Sequence, residues 1–358
     1  MLADQISKEI DALRGFAVLS VLWGHSMYSL NMPVELNGAF GVWIFFSLSG
    51  FFIGKSFFCG HYGLSAESYF SFLWNRSLRI LPLYYTALCA GLIFELIMIP
   101  DEIIVSAVIR QFLFISPLNS ITLSGPLWAL AVSAKFYVIS IFFIWIIVKV
   151  NREKRITLLL FLLALSCIIS WLYIKACGDI YIQPRTLLGN LHFFMWGILL
   201  AVVSWERLPA ISSVNKFGAI FILIVIAWYL NNWKPAYFWG LSSGLTGRLA
   251  LGYGALCALL ITFVVMLREV RSDNGGGFKI GILLLNLFGW CGFYSYAIYV
   301  CHAILGKANQ IFFHISPGPV YLFYLFLSIP LAYLSYKFIE APLHQLRAGK
   351  IASHFLKK

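Results

Sequence analysis

Residues 10–30 read IDALRGFAVLSVLWGHSMYSL, an apolar run long enough to cross a lipid bilayer. A membrane-spanning helix needs about 20 predominantly apolar residues, and runs of this kind recur as far as residue 340. We predict spans at residues 10–30, 38–58, 80–100, 126–149, 156–175, 186–204, 214–230, 246–267, 282–305 and 319–340. The expected fold is all-α: a polytopic integral membrane protein of about ten transmembrane helices.

The composition supports this fold and excludes a soluble protein. Hydrophobic residues make up 61% of the chain and charged residues only 11%, whereas a soluble domain carries roughly 25% charged residues. The more polar stretches 61–79 and 101–118 are predicted as interfacial or re-entrant segments. No stretch resembles a separate soluble domain, so residues 1–358 are expected to form a single membrane-embedded domain.

The net charge of +12 reports membrane topology rather than a nucleic-acid partner. If the N-terminus is cytoplasmic and the spans alternate, most Lys and Arg residues fall in cytoplasmic loops, as the positive-inside rule requires. Both termini are therefore expected on the cytoplasmic side. The basic loops are suited to contact with anionic lipid, and nucleic acid is not expected as a partner because the chain has no basic stripe or known binding motif.

Arg14 and His25 are ionisable residues inside the first predicted span. Such groups are costly in a membrane and are functional candidates by default. Their separation of eleven residues is close to three helical turns, so both project from one helix face, roughly 16 Å apart along the axis. A histidine there is suited to act as a general base, a proton relay or a nucleophile. The alternative is a histidine that only forms hydrogen bonds between helices, and the same alternative is favoured for His192 in the sixth span.

A second basic feature is RSLRILPLYY, residues 76–85, at the start of the third predicted span. Arg76 and Arg79 are three residues apart and share a helix face. Guanidinium groups bind phosphates through paired hydrogen bonds. The alternative is that the two arginines only anchor the helix at the cytoplasmic surface.

The seven cysteines include no CxxC pair, and most lie inside apolar runs. This pattern favours small apolar packing residues. We expect no metal site.

Several motifs, taken in order, resemble acyltransferase family 3, a family of bacterial membrane proteins that O-acylate surface polysaccharides and related acceptors. The opening signature IDALRGFA with His25 is followed by the second-helix motif GVWIFFSLSGF at 41–51 and by the arginine pair at 76–85. Near the end of the chain stand the SYxIYxxH pattern, Ser295 to His302, and the Glu-x-Pro at 340–342. The resemblance covers nearly the whole chain.

The resemblance implies a function and a set of site residues. Acyl-CoA is the implied co-substrate, with no bound cofactor, and a glycan hydroxyl in the envelope is the implied acceptor of an acyl group such as acetyl. Arg14, Arg76 and Arg79 would bind the phosphates of acyl-CoA, and His25 would be catalytic, either as a general base or through an acyl-histidine. The implied location is the bacterial inner membrane, as a multi-pass protein surrounded by lipid. The sequence does not predict the oligomeric state.

Four further residues are candidates for acceptor binding or support: Ser133, Tyr296, His302 and Glu340. Ser133 departs from the family pattern, because it stands where a glutamate usually occurs within the fourth-span motif. A serine offers a hydrogen bond but no charge to a neighbouring histidine. The sixth span departs as well, with Asn190 and Phe193 where an Arg and a Glu are common. A catalytically silent family member, or a transporter that keeps the fold, is therefore the rival prediction.

Overall fold

The computed structural model describes residues 2–27, 39–98, 105–115, 127–177, 185–203, 244–266, 276–313, 315, 319–343 and 346. Within these ranges the chain is helical apart from short turns, and no strand occurs. Helices satisfy their own backbone hydrogen bonds, which lipid cannot do. The predicted all-α class is thus confirmed for the described part of the chain.

The helices, numbered along the chain, alternate with short connections and with segments outside the described ranges. They are α1 (Leu2–Met27), α2 (Ala39–Phe58), α3 (Ala66–Met98), α4 (Val105–Phe112), α5 (Trp128–Lys149), α6 (Arg152–Cys177), α7 (Leu187–Val202), α8 (Gly244–Met266), α9 (Gly276–Phe293), α10 (Ser295–Ala308), α11 (Pro319–Ser335) and α12 (Ala341–Leu343). Two π-helical turns, Asn309–Phe313 and Tyr336–Glu340, follow α10 and α11 respectively.

Five helical stretches among the described residues are long and apolar enough to cross a membrane. They are Ala39–Phe58, Ala66–Met98, Trp128–Lys149, Glu153–Tyr173 and Pro319–Leu343, and a sixth results if α9 and α10 form one bent span. This number fits a membrane protein. The count of about ten and the cytoplasmic position of both termini stay predictions, and the predicted span 214–230 lies outside the described residues.

Two predicted segments differ from the structure. Helix α3 begins at Ala66, well before the expected start of the third span at residue 80, so most of the stretch 61–79 continues a long helix. Its start is set by Ser65, whose side-chain oxygen accepts a hydrogen bond of 3.2 Å from the backbone N–H of Ser68, as N-cap residues do. The predicted ninth span 282–305 is interrupted at Tyr294, between α9 and α10.

The chain divides into two compact units. Unit 1 comprises Met1–Phe58, Val150–Pro184 and Leu188–Ser295, and unit 2 comprises Cys59–Lys149, Arg185–Leu187 and Tyr296–Lys358. Helices α1, α2, α6, α8 and α9 and nearly all of α7 belong to unit 1, whereas α3, α4, α5, α11 and α12 and nearly all of α10 belong to unit 2. The single domain 1–358 stays a prediction.

Within unit 1, α1 packs closely against α9 through two glycines. A Cβ atom at Gly15 would overlap the backbone carbonyl of Phe288, and one at Gly292 would overlap the backbone carbonyl of Asp11. Small residues let membrane helices approach backbone to backbone, where van der Waals packing replaces the hydrophobic effect as the source of stability. The two contacts fix α1 against α9 from both sides of the crossing.

The contact between α2 and α7 follows the same rule in unit 1. A Cβ at Gly50 would overlap the carbonyl of Phe194, and a Cβ at Gly197 would overlap the carbonyl of Ser47. The ring of Phe46 stacks on that of Phe194 with centroids 4.9 Å apart. Glycines on both helices thus bring the two backbones together and leave the aromatic rings to fill the adjoining space.

Within unit 2, the tyrosine pair at the end of RSLRILPLYY fixes the short helix α4. The Tyr84 hydroxyl donates to the carbonyl of Gln111 at 2.9 Å, and the Tyr85 hydroxyl donates to that of Phe112 at 3.0 Å. The last carbonyls of a helix have no partner within it, so these tyrosine hydroxyls supply the hydrogen bonds that the last two carbonyls of α4 lack. Phe114, with φ of 56°, turns the chain away and stacks on Tyr84 at 4.5 Å.

Candidate functional site

Arg14 is held by its own helix in unit 1. One guanidinium nitrogen of Arg14 lies 2.9 Å from a carboxylate oxygen of Asp11, one helical turn earlier. Both side chains are partly buried, with 13% of Arg14 and 25% of Asp11 exposed. The backbone on either side is fixed as well, since Gly15 and the Asp11 carbonyl make the close contacts with α9. The position of Arg14 is therefore fixed by its ion pair with Asp11 and by the packing of α1 against α9.

His25 lies on the same helix, and α1 is unbroken between the two residues. The eleven-residue spacing therefore corresponds to one helix face and a rise of roughly 16 Å. The side chain of His25 is exposed, whereas its helical neighbours Val21, Leu22 and Ser26 are buried. Its catalytic role stays a prediction.

Arg76 lies on α3 in unit 2 and is surrounded by aromatic rings. Its guanidinium carbon is 5.5 Å from the ring centre of Phe72, one turn earlier, and 5.6 Å from that of Tyr137 on α5. Both distances fall within the range of cation–π attraction. The sequence analysis missed these rings. The only signal was the four-residue spacing of Phe72 and Arg76, because the contact with Tyr137 depends on how α3 and α5 pack.

Arg79 belongs to a polar cluster formed by motifs far apart in the chain. The hydroxyl of Tyr296 donates to the backbone carbonyl of Ile80, and the charges of Glu340 and Arg79 both act on that hydroxyl. The turn that carries Glu340 packs against α3. Three residues predicted separately, Arg79, Tyr296 and Glu340, thus come together in unit 2. The structure gives Tyr296 a structural bond, and its role in acceptor binding is untested.

Ser133 is buried on α5, with 8% exposed. It stands one helical turn before Tyr137, whose ring lies beside Arg76. A glutamate here, as in the family pattern, would stand one helical turn before the ring that lies beside Arg76. In this chain the rings of Phe72 and Tyr137 lie beside Arg76.

His302 is almost fully buried, with 2% exposed. Its Nδ1–H donates to the backbone carbonyl of Tyr299 within the same helix, and its ring lies 6.4 Å from that of Tyr324. These contacts fix the ring inside unit 2. Its predicted role towards the acceptor is not tested by them.

His192 forms a bond that the sequence did not reveal. Its Nδ1 lies 3.1 Å from the hydroxyl of Ser170, and that hydroxyl donates to the carbonyl of Leu188 at 2.8 Å. Because Ser170 uses its single proton on the carbonyl, Nδ1 of His192 must carry a hydrogen and donate it. Within the described ranges, no three side chains of His, Cys, Asp or Glu come together to hold a metal ion.

Comparison with known proteins agrees with the motifs. The chain matches the model of an acyltransferase domain, the third family of that name, over residues 7–337. YrhL of Bacillus subtilis, whose name assigns it provisionally as a peptidoglycan O-acetyltransferase, is 27% identical over 93% of this chain and 54% of its own length. O-acetyltransferase OatA of Staphylococcus aureus is 24% identical over 98% of this chain and 58% of its own.

Peptidoglycan O-acetyltransferase OatA of Listeria monocytogenes is 22% identical over 94% of this chain. The chain spans little more than half the length of these curated relatives. No solved structure matches it. The family model covers nearly the whole described structure, including most of α1, the arginine pair and Tyr296, and the protein therefore belongs to acyltransferase family 3.

Proposed function

We propose that the protein is a membrane O-acyltransferase that moves a short acyl group, most simply acetyl, from acyl-CoA to a hydroxyl of a cell-wall polysaccharide. The observation that carries the proposal is α1, an unbroken helix with a fixed arginine and an exposed histidine on one face, in a chain of this family. The names of the relatives support acetyl as the group and peptidoglycan as the acceptor class.

In the proposed reaction His25 acts as the general base. Its imidazole takes the proton of the acceptor hydroxyl as that oxygen attacks the thioester carbon. A C–O bond forms, the C–S bond breaks, and the proton passes to the departing thiolate of CoA. The acceptor leaves as an ester and CoA leaves as a thiol, so no external oxidant or metal ion is required.

The donor is proposed to bind through the arginines. Arg14, Arg76 and Arg79 supply positive charge for the phosphates of acyl-CoA, through charge-assisted hydrogen bonds. Asp11 orients Arg14, and Phe72 and Tyr137 support Arg76 through their ring faces. We propose that acyl-CoA enters from the cytoplasm and that the protein resides in the bacterial inner membrane, where the acyl group is carried towards an acceptor in the envelope.

The second candidate is a catalytically silent or transporting member of the family. The observation that favours it is Ser133, which is buried where the family commonly has a glutamate. A silent protein would keep the helices and the arginines and would lack the carboxylate at this position, because serine offers a hydrogen bond but no charge.

Acyl transfer by the purified protein in nanodiscs tests the proposal. Radiolabelled acetyl-CoA and peptidoglycan fragments are supplied, and CoA release and labelled glycan are measured. His25→Ala is expected to lower turnover by about 10²-fold or more, the range of a general base. His61→Ala, at an exposed histidine before α3, is the matched control and should retain activity.

Two outcomes oppose the proposal. An inactive wild type that gains turnover in Ser133→Glu indicates a silent member with a decayed site. Inactivity of both proteins towards all glycan fragments favours transport.

A further inference from the structure

Lys135 is a charged residue within α5, a helix long and apolar enough to cross a membrane. The residue is partly exposed, and its side chain forms no hydrogen bond or ion pair within the described ranges. A charged side chain inside a membrane is costly, so such residues normally pair with an opposite charge or reach water. The ammonium group of Lys135 therefore calls for a partner that is not among the described residues.

Helix α5 has a buried side and an exposed side, and Lys135 lies on the exposed one. The buried side carries three residues with 0% exposure, Phe136, Ser140 and Ile144. The opposite side carries three apolar residues that are 58%, 61% and 45% exposed, Val138, Phe142 and Trp145. At about 100° per residue, Lys135 is within about 80° of each exposed residue and about 100° or more from each buried one. Exposed apolar side chains on a spanning helix contact lipid tails, so Lys135 faces lipid as well.

The same geometry directs Lys135 away from the arginine pair. Tyr137, whose ring lies beside Arg76, is two residues further along α5 and about 160° away around the helix. Ser133, two residues earlier, is separated from Lys135 by the same angle. Lys135 is thus not placed to bind the donor phosphates that we assign to the arginines, and its ligand approaches from the lipid.

The depth of Lys135 determines which part of a lipid it meets. Lys135 is seven residues from Trp128, the first residue of α5, and fourteen from Lys149, the last, or about 10 Å and 21 Å along the axis. At the far end the ammonium of Lys149 lies 3.7 Å from the ring centre of Trp145, and tryptophan is typical of the headgroup level. Helical side chains point towards the N-terminus, and lysines extend along apolar surface until the ammonium reaches the interface. The ammonium of Lys135 therefore extends towards the headgroups at the Trp128 end.

We propose that Lys135 binds the phosphate of an anionic phospholipid whose acyl chains lie along the exposed side of α5. The ammonium donates charge-assisted hydrogen bonds to the phosphate oxygens, and the chains cover the apolar residues beside it. A second copy of the protein suits this surface poorly. In a two-fold contact the same patch meets itself, which would bring two unpaired lysines together. The site is separate from the proposed acyl transfer and does not depend on it.

Lipid titration of the purified, delipidated protein, followed by native mass spectrometry, tests the proposal. Phosphatidylglycerol is compared with glucosyl-diacylglycerol, which has the same acyl chains but no phosphate and no charge. Lys135→Met keeps an unbranched side chain and removes the ammonium. It is expected to raise the Kd for phosphatidylglycerol about fivefold, the effect of one lysine at an anionic membrane surface, and to leave the Kd for the glucosyl lipid unchanged. Lys135→Arg keeps the charge and should keep the binding.

Lys149→Met is the matched control, because it removes the same charge from the same helix at a lysine that already lies on the Trp145 ring. The proposal is overturned if this control raises the Kd as much as Lys135→Met, since net charge alone would then attract the lipid. It is also overturned if Lys135→Met weakens both lipids equally or neither.

Two further measurements exclude other partners for Lys135. The delipidated Lys135→Met variant should melt no lower than the wild type, because it loses no partner among the described residues. A lower melting temperature would assign the ammonium to a contact within the protein and would overturn the proposal. A dimer that dissociates in Lys135→Met would do the same, since a second copy would then cover this side of α5.

Discussion

Replacing Gly292 by alanine tests the close contact between α1 and α9. The added Cβ would overlap the backbone carbonyl of Asp11, and neither helix backbone can yield as a flexible side chain does. Gly289 provides a matched control on the same helix, since a Cβ there would lie 3.7 Å from the carbonyl of Lys8, an ordinary contact. The two substitutions add the same methyl group on the same helix and differ in what that group meets.

The expected effects have opposite signs. Overpacking of this kind costs about 1–3 kcal/mol of unfolding free energy, whereas alanine in place of a helical glycine without a clash stabilises by about 0.4–1 kcal/mol. Gly292→Ala should therefore be less stable than Gly289→Ala by about 1.5–4 kcal/mol. Unfolding by SDS in mixed micelles, followed by tryptophan fluorescence, measures the difference. Equal stability of the two variants would mean that α1 and α9 do not cross as closely as described.

Three further predictions concern side-chain contacts. Tyr137→Leu should raise the Kd for CoA about two- to fivefold, because a cation–π contact of about 0.5–1 kcal/mol is lost. Tyr137→Phe keeps the ring and should leave the Kd unchanged. Equal binding of CoA by the two variants would contradict a role for the ring. Tyr296→Phe should lower the free energy of unfolding by about 1 kcal/mol through loss of the bond to Ile80, and an unchanged value in the same SDS titration would argue against that bond. Ser170→Ala leaves the Nδ1–H of His192 without its acceptor and should cost about 1–3 kcal/mol; a melting temperature equal to that of the wild type would show that another acceptor takes its place.

Apolar length predicted most of the helix positions but not where the helices begin or break. Hydropathy detects the apolar part of α3, from residue 80 onward. It does not detect the polar turns that precede it, which begin at Ala66 and belong to the same helix. The N-cap at Ser65 is a local signal that was present in the sequence. The interruption at Tyr294 has no comparable signal, because the segments on both sides together read as one apolar span.

The candidate site was predictable where the chemistry is local. The spacing of Arg14 and His25 on one helix follows from helical geometry alone. The proximity of Arg79 to Tyr296 and Glu340 does not, because it joins segments more than 200 residues apart in the chain. The ring of Tyr137 beside Arg76 depends likewise on how two helices pack. Sequence patterns selected the candidate residues, and tertiary packing determined which of them lie close together.

The contact between α1 and α9 also affects how the protein is made. Gly15 meets a carbonyl some 270 residues later in the chain, and synthesis at about 5–20 residues per second separates the two by roughly 14–54 s. During that interval α1, with Arg14 on it, lacks the neighbour against which it finally packs. Until α9 has been made, other helices or the insertion machinery must therefore shelter the face of α1 that α9 finally covers.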